Sequence, residues 1–389
     1  MGKEIRSGRQ NTVRILLTGY VGNNNLGDDL MMMETVRFLQ EEYPEAQVSI
    51  LIRYQGCKTK MRQNYGENLR IINLHPFRIG KIKEWIYGNF IVTHYDLVLW
   101  VGGTCFADIG GNGLYSYFKH NIKRRIPYGY LGVGIDYFED REKRKQAAEL
   151  FAGSLLTVFR DETSLRQAER LTETGAARGN AKLKLSEDIV YRVLRRVKSG
   201  SSLNCPKEKR LLISWRYQSQ YMEWEEEEKR MSILEDAIAE IAENYEEIVF
   251  LPIDEHMDSS VNGRLADRIK ARVRVKVAYI GHMEAMDKLA FIASSESYIC
   301  GRLHGVMIAE LSGCNVAALS YSLKTQIFME SIGRQCDTVW VKDMTKEKLL
   351  AALSCGSMKN CDKRREEGAA KADKNYEYLA EGIDSIYEK

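Results

Sequence analysis

Arg302 and His304 are the residues whose types and spacing point most directly to chemistry. They lie in SYICGRLHGVMIAELSG, residues 297–313, where an apolar run typical of a buried strand leads through glycine into an apolar helix. A single histidine is commonly structural, but the adjacent arginine, the flanking glycines and the strand-end position favour a functional site. Imidazole exchanges a proton near neutral pH, and guanidinium pairs with carboxylate or phosphate. The pattern therefore predicts proton transfer beside an anion.

Further polar residues follow other strand-like runs. Arg160, in LLTVFRDETS, ends one such run, and Asp161 is placed to cap the next helix. An arginine at this position either pairs with a neighbouring acid or binds a carboxylate or phosphate. Tyr321 and Lys324 follow the strand after His304, and the acidic stretch 254–256 follows another. Because the carboxyl ends of parallel strands share one edge of a sheet, we expect these residues to line the same cleft.

The loop in RILLTGYVGNNNLGDDLMM, residues 14–32, brings two aspartates to the start of a predicted helix. One aspartate, Asp28 or Asp29, is explained as a helix N-cap. A second carboxylate is not, and both place negative charge at the positive end of the helix dipole, where an anion would otherwise bind. We therefore interpret the loop as facing hydroxyl groups, as on a sugar. The asparagines 23–25 suit the same environment.

Two glycine-containing loops give weaker signals. In LVLWVGGTCFADIGG, residues 97–111, a buried strand ends at two glycines, and Asp108 follows in a loop that is equally well explained as a structural turn. GYLGVGIDYF lacks the third glycine of a dinucleotide-binding fingerprint. HExxH, paired CxxC and GxxxxGK[ST] motifs do not occur in the sequence, so metalloprotease, zinc-ribbon and P-loop functions have no support.

The elements that position these residues alternate along the chain. Short apolar runs, such as VRILLTGY and RLLISWR, are separated by segments with apolar residues at helical spacing. This alternation predicts an α/β fold with parallel sheets covered on both faces. A basic segment rich in Ser and Gly suggests a linker between two domains. We predict an N-terminal domain 1–195, a linker 196–209, a C-terminal domain 210–362 and a C-terminal helix 363–389.

Composition narrows the class of protein. The chain has 389 residues, of which 44% are hydrophobic and 29% charged, and no apolar stretch is long enough to span a membrane. The formal charge of +3 gives no argument for nucleic-acid binding. The N-terminal residues lack the apolar segment of a secretory signal, and several of the eight cysteines lie in apolar runs, as expected for reduced, buried thiols. We expect a cytoplasmic protein.

Taken in order, the motifs resemble those of the polysaccharide pyruvyl transferase family. The matching stretches, from about residue 14 to residue 333, are GYVGNNNLGDDLM, WVGGTCFAD, GVGID, VFRDETS, SEDIVY, FLPIDEHMDS and CGRLHGVMIAELSGCNVAALSYSLKTQIF. The resemblance implies two facing Rossmann-like domains, as in glycosyltransferase-B enzymes, with the site in the cleft between them. It also implies phosphoenolpyruvate as donor and two sugar hydroxyls as acceptor, on a cell-surface polysaccharide or its precursor. No cofactor or metal is implied.

The resemblance places the family's RLH motif on Arg302, Leu303 and His304, its acidic loop residue on Asp28 and its VRD-type arginine on Arg160. Together with the strand-end pattern, this predicts the following residues: catalytic His304 and Asp28; donor-binding Arg302, Arg160, Leu303 and Lys324; acceptor-binding Asn25, Asp29, Asp108 and Tyr321. The chain departs from the family in reading NNNLGDD for the loop and GGT for the second glycine stretch. These departures concern the acceptor side.

Two other functions compete with this one. A glycosyltransferase of the same architecture would use a nucleotide-sugar donor, and a non-catalytic glycan-binding relative would bind sugar without releasing phosphate. A lipid-linked acceptor would bring the protein to the inner face of the membrane, where the basic segment LRRVK either contacts lipid or is a solvated linker.

Overall fold

The protein folds into two α/β lobes, each with a mainly parallel sheet covered by helices. The computed structural model describes residues 12–53, 65, 69–77, 79–109, 111–173, 182–199, 203 and 206–388. Residues 1–11, which were predicted to carry no secretory signal, and the middle of the predicted linker lie outside the described residues. The prediction of a two-lobed α/β fold is confirmed.

The first lobe is built on a sheet with the strand order β3-β2-β1-β4-β7-β8-β9, to which β5 and β6 attach beside β7. All of its described pairings are parallel except that of β5 with β6. Its strands are β1 (Arg14–Thr18), β2 (Gln47–Ile52), β3 (Arg70–Asn73), β4 (Leu97–Val101), β5 (Thr104–Ala107), β6 (Gly111–Asn112), β7 (Tyr128–Ile135), β8 (Leu156–Phe159) and β9 (Leu183–Leu185). Its helices are α1 (Leu26–Glu42), α2 (Gly80–Ile86), α3 (Tyr115–Arg124), α4 (Arg141–Gly153), α5 (Glu162–Thr172) and α6 (Val190–Ser199).

The second lobe has a sheet with the strand order β12-β11-β10-β13-β14-β15, in which every described pairing is parallel. Its strands are β10 (Glu208–Ser214), β11 (Glu247–Phe250), β12 (Lys276–Tyr279), β13 (Ser295–Cys300), β14 (Asn315–Ser320) and β15 (Thr338–Trp340). Its helices are α7 (Trp224–Ile241), α8 (Glu255–Lys270), α9 (Ala285–Ser294), α10 (Leu303–Leu311), α11 (Leu323–Ser331) and α12 (Lys346–Ser354). The chain then continues into α13 (Cys361–Ala372) and α14 (Lys374–Tyr387).

The central strands are buried on both faces, which explains their unbroken apolar sequences. Every residue of β4 and of β7 is buried, as expected for parallel strands that helices cover on each side. The short strands β5, β6 and β9 were not predicted, because two to four residues in a loop carry too little periodicity to be recognised.

Elements of regular structure cross the predicted domain boundaries, which stay a prediction. Helix α6 runs through the expected boundary at 195/196, and β10 begins at Glu208, so that it includes the last two residues of the expected linker. The C-terminal segment is two helices rather than one, and they return to the first lobe, where Asp373 pairs with Arg195 at 2.7 Å. The basic residue Arg196 is likewise paired, with Glu34 and Glu41. Both arginines therefore form ion pairs within the protein.

The two lobes share an apolar interface. Helix α1 of the first lobe packs against α9 and α10 of the second, so that buried side chains such as Leu26 and Leu303 belong to one continuous cluster. Among the described helices, none is long and apolar enough to cross a membrane. The interface brings the carboxyl ends of both sheets together, which is where the candidate site residues lie.

Candidate functional site

The loop after β1 joins the two lobes directly. Asn25 is the N-cap of α1, but its side chain donates to Asp254 of the second lobe at 3.2 Å instead of capping the helix. The backbone N–H of Leu26 donates to the carbonyl of Ile253 at 3.0 Å, and Asn24 donates to Glu255 at 2.9 Å. The asparagines therefore bridge the lobes, and the N-cap position of α1 belongs to Asn25 rather than to either aspartate.

His304 lies at the start of α10, and its side chain packs against the first lobe. Its ring packs so closely on Gly27 that a Cβ atom at position 27 would lie 1.7 Å from Nδ1. No side chain other than the hydrogen of glycine fits between the ring and α1. Gly27 is thus the residue that allows the imidazole to approach the opposite lobe.

A buried carboxylate, Asp188, connects His304 with Arg160. It accepts from Nε2 of His304 at 3.2 Å and from Nη1 of Arg160 at 3.1 Å. Burial by itself raises the pKa of Asp188, but the neighbouring His304 and Arg160 outweigh burial and hold the pKa well below its usual range. Because an ionised carboxylate only accepts hydrogen bonds, Nε2 carries a proton. Arg160 also donates to Thr104 at 3.2 Å.

Arg302 is anchored by acidic residues of its own lobe. As the N-cap of α10 it has an extended backbone, and its guanidinium donates twice to Asp258, each time at 2.8 Å. Asp254 lies 3.5 Å from the same guanidinium. Burial opposes the charge, but these carboxylates raise the pKa of Arg302 above its ordinary value. Its positive charge is therefore largely balanced before any ligand binds.

Asp28 lies in the first turn of α1 and is 8% exposed. Burial and the neighbouring carboxylates of Asp29 and Asp254 raise its pKa to about 8, although Arg160 and Lys324 act in the opposite direction. At neutral pH the carboxyl is therefore mostly protonated and able to donate a proton. This differs from the ionised carboxylate that the sequence suggested.

Lys324, Tyr321 and Arg216 lie together at the cleft, where each lines one or both of the cavities between the lobes. The Arg216 guanidinium lies 4.0 Å from the centre of the Tyr321 ring and 4.6 Å from that of Tyr221, and the Lys324 ammonium lies 5.2 Å from that of Tyr321. Burial raises the pKa of Tyr321, but the charges of Lys324, Arg216 and Arg302 outweigh it and lower the pKa below its ordinary value. The local potential is therefore positive.

Eight of the ten predicted site residues line one small cavity between the lobes: Asn25, Asp28, Arg160, Arg302, Leu303, His304, Tyr321 and Lys324. A cavity of about 290 Å³ is lined by several of the same residues. Asp29 and Asp108 line neither: Asp29 accepts from Tyr65 at 2.8 Å, and Asp108 accepts from the backbone of residues 139 and 140. The ligand-binding roles of all ten residues stay predictions.

Asp188 and Arg216 take part in the site but were not among the predicted residues. Asp188 lies in SEDIVY, a stretch that contributed to the family resemblance without being given a role. Arg216 follows β10 in RLLISWRYQ, so it stands at the carboxyl end of a strand, as Arg160 does. The same strand-end argument that selected Arg160 would have found it.

A candidate metal-ligand group within the described residues lies away from the cleft. Cys336, Asp337 and Cys355 offer ligand atoms within 4.8 Å of one another. None of these residues lines the two cleft cavities described above. The group therefore has no direct part in the chemistry of the cleft.

The architecture is that of the glycosyltransferase-B class, as solved structures with the same fold show. UDP-GlcNAc 2-epimerase from Neisseria meningitidis, solved with UDP-GlcNAc, has a TM-score of 0.64 at 12% identity, covering 95% of this chain and 100% of that one. S. aureus MnaA, solved with UDP, has a TM-score of 0.62 at 10% identity, covering 93% and 92%. An α,α-trehalose 6-phosphate synthase from Burkholderia multivorans has a TM-score of 0.54 at 11% identity, covering 97% and 98%. At these identities the likeness concerns the fold alone.

A comparison of the amino-acid sequence with protein-family models identifies the family of this chain. A model of the polysaccharide pyruvyl transferase family matches residues 25–322, which is more than half of the chain, and the protein belongs to that family. The protein is therefore a transferase of polysaccharide biosynthesis. Among curated protein sequences, none matches this chain.

Proposed function

We propose that the cleft transfers a pyruvyl group from phosphoenolpyruvate to two hydroxyl groups of one sugar, forming a pyruvate ketal and releasing phosphate. The acceptor is a glycan or its lipid-linked precursor, which would bring the protein to the inner face of the membrane. Phosphoenolpyruvate is a cytoplasmic metabolite, which agrees with a cytoplasmic enzyme. In this proposal no cofactor or metal takes part.

One observation carries the proposal. His304 and Arg302 from the second lobe meet Arg160 and Asp28 from the first lobe on a single cavity, in a chain that belongs to the pyruvyl transferase family. Cationic and proton-transferring groups are both needed, since the donor is an anionic enol ester whose methylene carbon must be protonated. The convergence of both kinds of group supports the proposal.

The protonation states suggest a division of roles. Asp28, with a pKa of about 8, holds a proton at neutral pH and serves as the acid that protonates the methylene carbon. His304 donates from Nε2 to the ionised Asp188, so its other ring nitrogen is the one that accepts a proton from a sugar hydroxyl. Positioned proton transfer of this kind typically contributes on the order of 10²- to 10⁴-fold in rate.

The proposed reaction balances as an addition followed by a substitution. A proton adds to the methylene carbon, which becomes a methyl group, and the oxygen of the first hydroxyl bonds to the adjacent carbon. The second hydroxyl then bonds to the same carbon while the bond from that carbon to the phosphate oxygen breaks. The two hydroxyl protons replace the proton taken by the methyl group and accompany the released phosphate.

The test uses the full chain with phosphoenolpyruvate and a panel of nitrophenyl and lipid-linked sugars. We expect phosphate release that depends on the sugar, together with a pyruvyl ketal in the mass spectrum of the product. A parallel assay with nucleotide sugars tests the glycosyltransferase alternative. Transfer of a sugar from a nucleotide, without reaction of phosphoenolpyruvate, would overturn the proposal.

His304→Ala tests the assigned site within that assay. We expect turnover to fall by about 10²-fold or more, while the thermal midpoint stays close to that of the wild type because Asp188 keeps its pairing with Arg160. His94→Ala is the matched control, since His94 is exposed and precedes β4 at the opposite edge of the sheet. Wild-type turnover in the His304 variant would refute the assignment.

A further inference from the structure

The cations of the cleft differ in how far their charges are already balanced. Arg160 pairs with Asp188, and Arg302 pairs with Asp258 and lies near Asp254. A guanidinium that already shares its charge with a buried carboxylate adds less attraction for an incoming anion. These two arginines are therefore not sufficient to explain how a donor with both a phosphate and a carboxylate would be held.

Arg216 is a buried arginine whose charge is not balanced in this way. It is 6% exposed, and among the described residues its guanidinium donates to neutral acceptors, the carbonyl of Tyr217 and the side-chain oxygen of Gln220. Its Nε atom has no hydrogen-bond partner within the described part of the chain. The carboxylate of Glu227 attracts this guanidinium without a hydrogen bond to it. The charge of Arg216 is therefore less fully compensated than those of Arg160 and Arg302, and a bound anion would supply the rest.

The start of α11 lies beside Arg216. Ser322 is the N-cap of this nine-residue helix, yet its hydroxyl makes no capping hydrogen bond and has no partner among the described residues. Lys324, in the first turn, forms no ion pair in that part of the chain, and together with Arg216 it lines the cavity of about 290 Å³. A helix N-terminus carries partial positive charge and attracts oxyanions.

From this arrangement we infer that Arg216, Lys324 and the N-terminus of α11 form a subsite for the phosphate group of the donor. The inference rests on the proposed function for the identity of the donor, but its chemistry requires only a phosphate ester. A cavity of about 290 Å³ lies near the lower end of the range for small-molecule sites, about 300–1,000 Å³. That size suits a three-carbon phosphate ester.

The protonation of the cleft agrees with an anion at this place. The pKa of Tyr321 is lowered because the surrounding cations outweigh its burial. Asp28, which also lines the cavity, is mostly protonated at neutral pH, so it does not cancel the positive charge. The carboxylates of Asp136 and Asp254 line the same cavity, but Asp254 is close to Arg302.

The test measures binding of phosphoenolpyruvate, inorganic phosphate and pyruvate to the full chain by calorimetry, without acceptor. We expect Arg216→Gln and Lys324→Gln each to weaken phosphoenolpyruvate and phosphate by about 10- to 100-fold, as loss of a charge-assisted hydrogen bond does. Pyruvate lacks the phosphate group, so its dissociation constant should change by less than about 3-fold, a small fraction of that effect. Lys324 is only half-buried, so its variant should fold even if the Arg216 variant does not.

Arg264→Gln is the matched control, because Arg264 also stacks on an aromatic ring, 4.6 Å from the centre of Trp224, but lies outside the cleft. It should bind every ligand as the wild type does. Wild-type affinity for phosphate and phosphoenolpyruvate in a folded Lys324 or Arg216 variant overturns the subsite. If the wild type binds phosphate through these residues but not phosphoenolpyruvate, the subsite stands and the proposed function fails; if it binds neither, both fail.

Discussion

At the scale of single residues, the protonated carboxyl of Asp28 links activity to stability. Its pKa of about 8 exceeds the ordinary value of 3.8, so the folded protein retains this proton to a higher pH than the unfolded chain does. The free energy of unfolding therefore loses this contribution as the pH rises from about 4 to about 8. The raised pKa of Asp29, about 7, acts in the same direction.

Asp28→Asn should separate these two effects. We expect turnover to fall by about 10²-fold or more, because an amide cannot donate the proton. The variant should unfold at a temperature about 1–2 °C higher than the wild type at pH 8, equivalent to about 1 kcal/mol, and this gain should disappear toward pH 4. Thermal scans at both pH values check it. An equal midpoint at pH 8 would argue against a buried, protonated carboxyl.

Gly27 offers a test of how finely His304 is positioned. In Gly27→Ala the new methyl group would overlap the imidazole, so the ring must shift, and a displacement of about 1 Å is enough to cost about 10²-fold in rate. Gly80→Ala is the control, because Gly80 begins a helix and a Cβ atom added there would meet nothing within 4 Å. Measurement of kcat/KM for both variants decides the matter; unchanged kcat/KM in the Gly27 variant contradicts the close contact.

The sequence predicted which residues belong to the site better than it predicted the contacts that those residues make. Arg302, His304, Arg160 and Lys324 were selected because they follow strands, and parallel topology makes such positions converge. The use of Asn25 as a bridge to Asp254, 229 residues away, depends on how the lobes meet. The raised pKa of Asp28 likewise depends on burial and on the carboxylate of Asp254 in the other lobe. Neither property has a local signal in the sequence.

At the scale of elements, the segment between β1 and α1 controls the contact between lobes. Asn24 has a φ of +53°, a left-handed conformation that asparagine tolerates better than most residues. Its backbone carbonyl accepts from the N–H of Glu255 at 3.3 Å, and its side chain donates to the same residue. The conformation of one residue thus directs two contacts across the cleft.

Two substitutions at Asn24 should differ in a defined order. Asn24→Gly keeps the backbone conformation and loses the side-chain hydrogen bond, at about 1 kcal/mol. Asn24→Ala loses that bond and also places an alanine in the left-handed region, at roughly 1–2 kcal/mol more. Denaturant unfolding should therefore rank the wild type above glycine and glycine above alanine. An alanine variant as stable as the glycine variant would mean that the backbone conformation does not matter.

The regular elements were predictable because each long strand carries a continuous apolar run, as β4 and β7 do. The helix α2 and the π-helix at Tyr87–Ile91 were not predicted. In α2 no side chain is buried, so the segment has little of the apolar periodicity that identifies a helix. The break of the C-terminal helix at Asp373 was also not predicted. The conformation at Asp373 goes with its ion pairs to arginines of α6, and these have no local signal in the sequence.

At the scale of the whole molecule, the return of α13 and α14 to the first lobe adds stability there. Asp373 accepts hydrogen bonds from both Arg192 and Arg195 of α6. Asp373→Asn should lower the free energy of unfolding by about 1–2 kcal/mol, since it weakens charge-assisted hydrogen bonds. Glu41→Gln, which affects an exposed pair with Arg196, should cost less than about 1 kcal/mol. Equal effects in denaturant titrations would contradict this distinction.

The shared carboxylate of Asp188 also limits how lobes from different relatives can be recombined. A chimaera that takes its first lobe from one enzyme and its second from another must keep Asp188 matched to His304, and Asn24 and Asn25 matched to residues 253–255. A hybrid joined only at the sequence boundary between the lobes would contain two lobes that each fold. The contacts that position the reactive groups across the cleft would be lost. Evolution of new acceptor preferences is therefore easier within the loops of one lobe than by exchange of entire lobes.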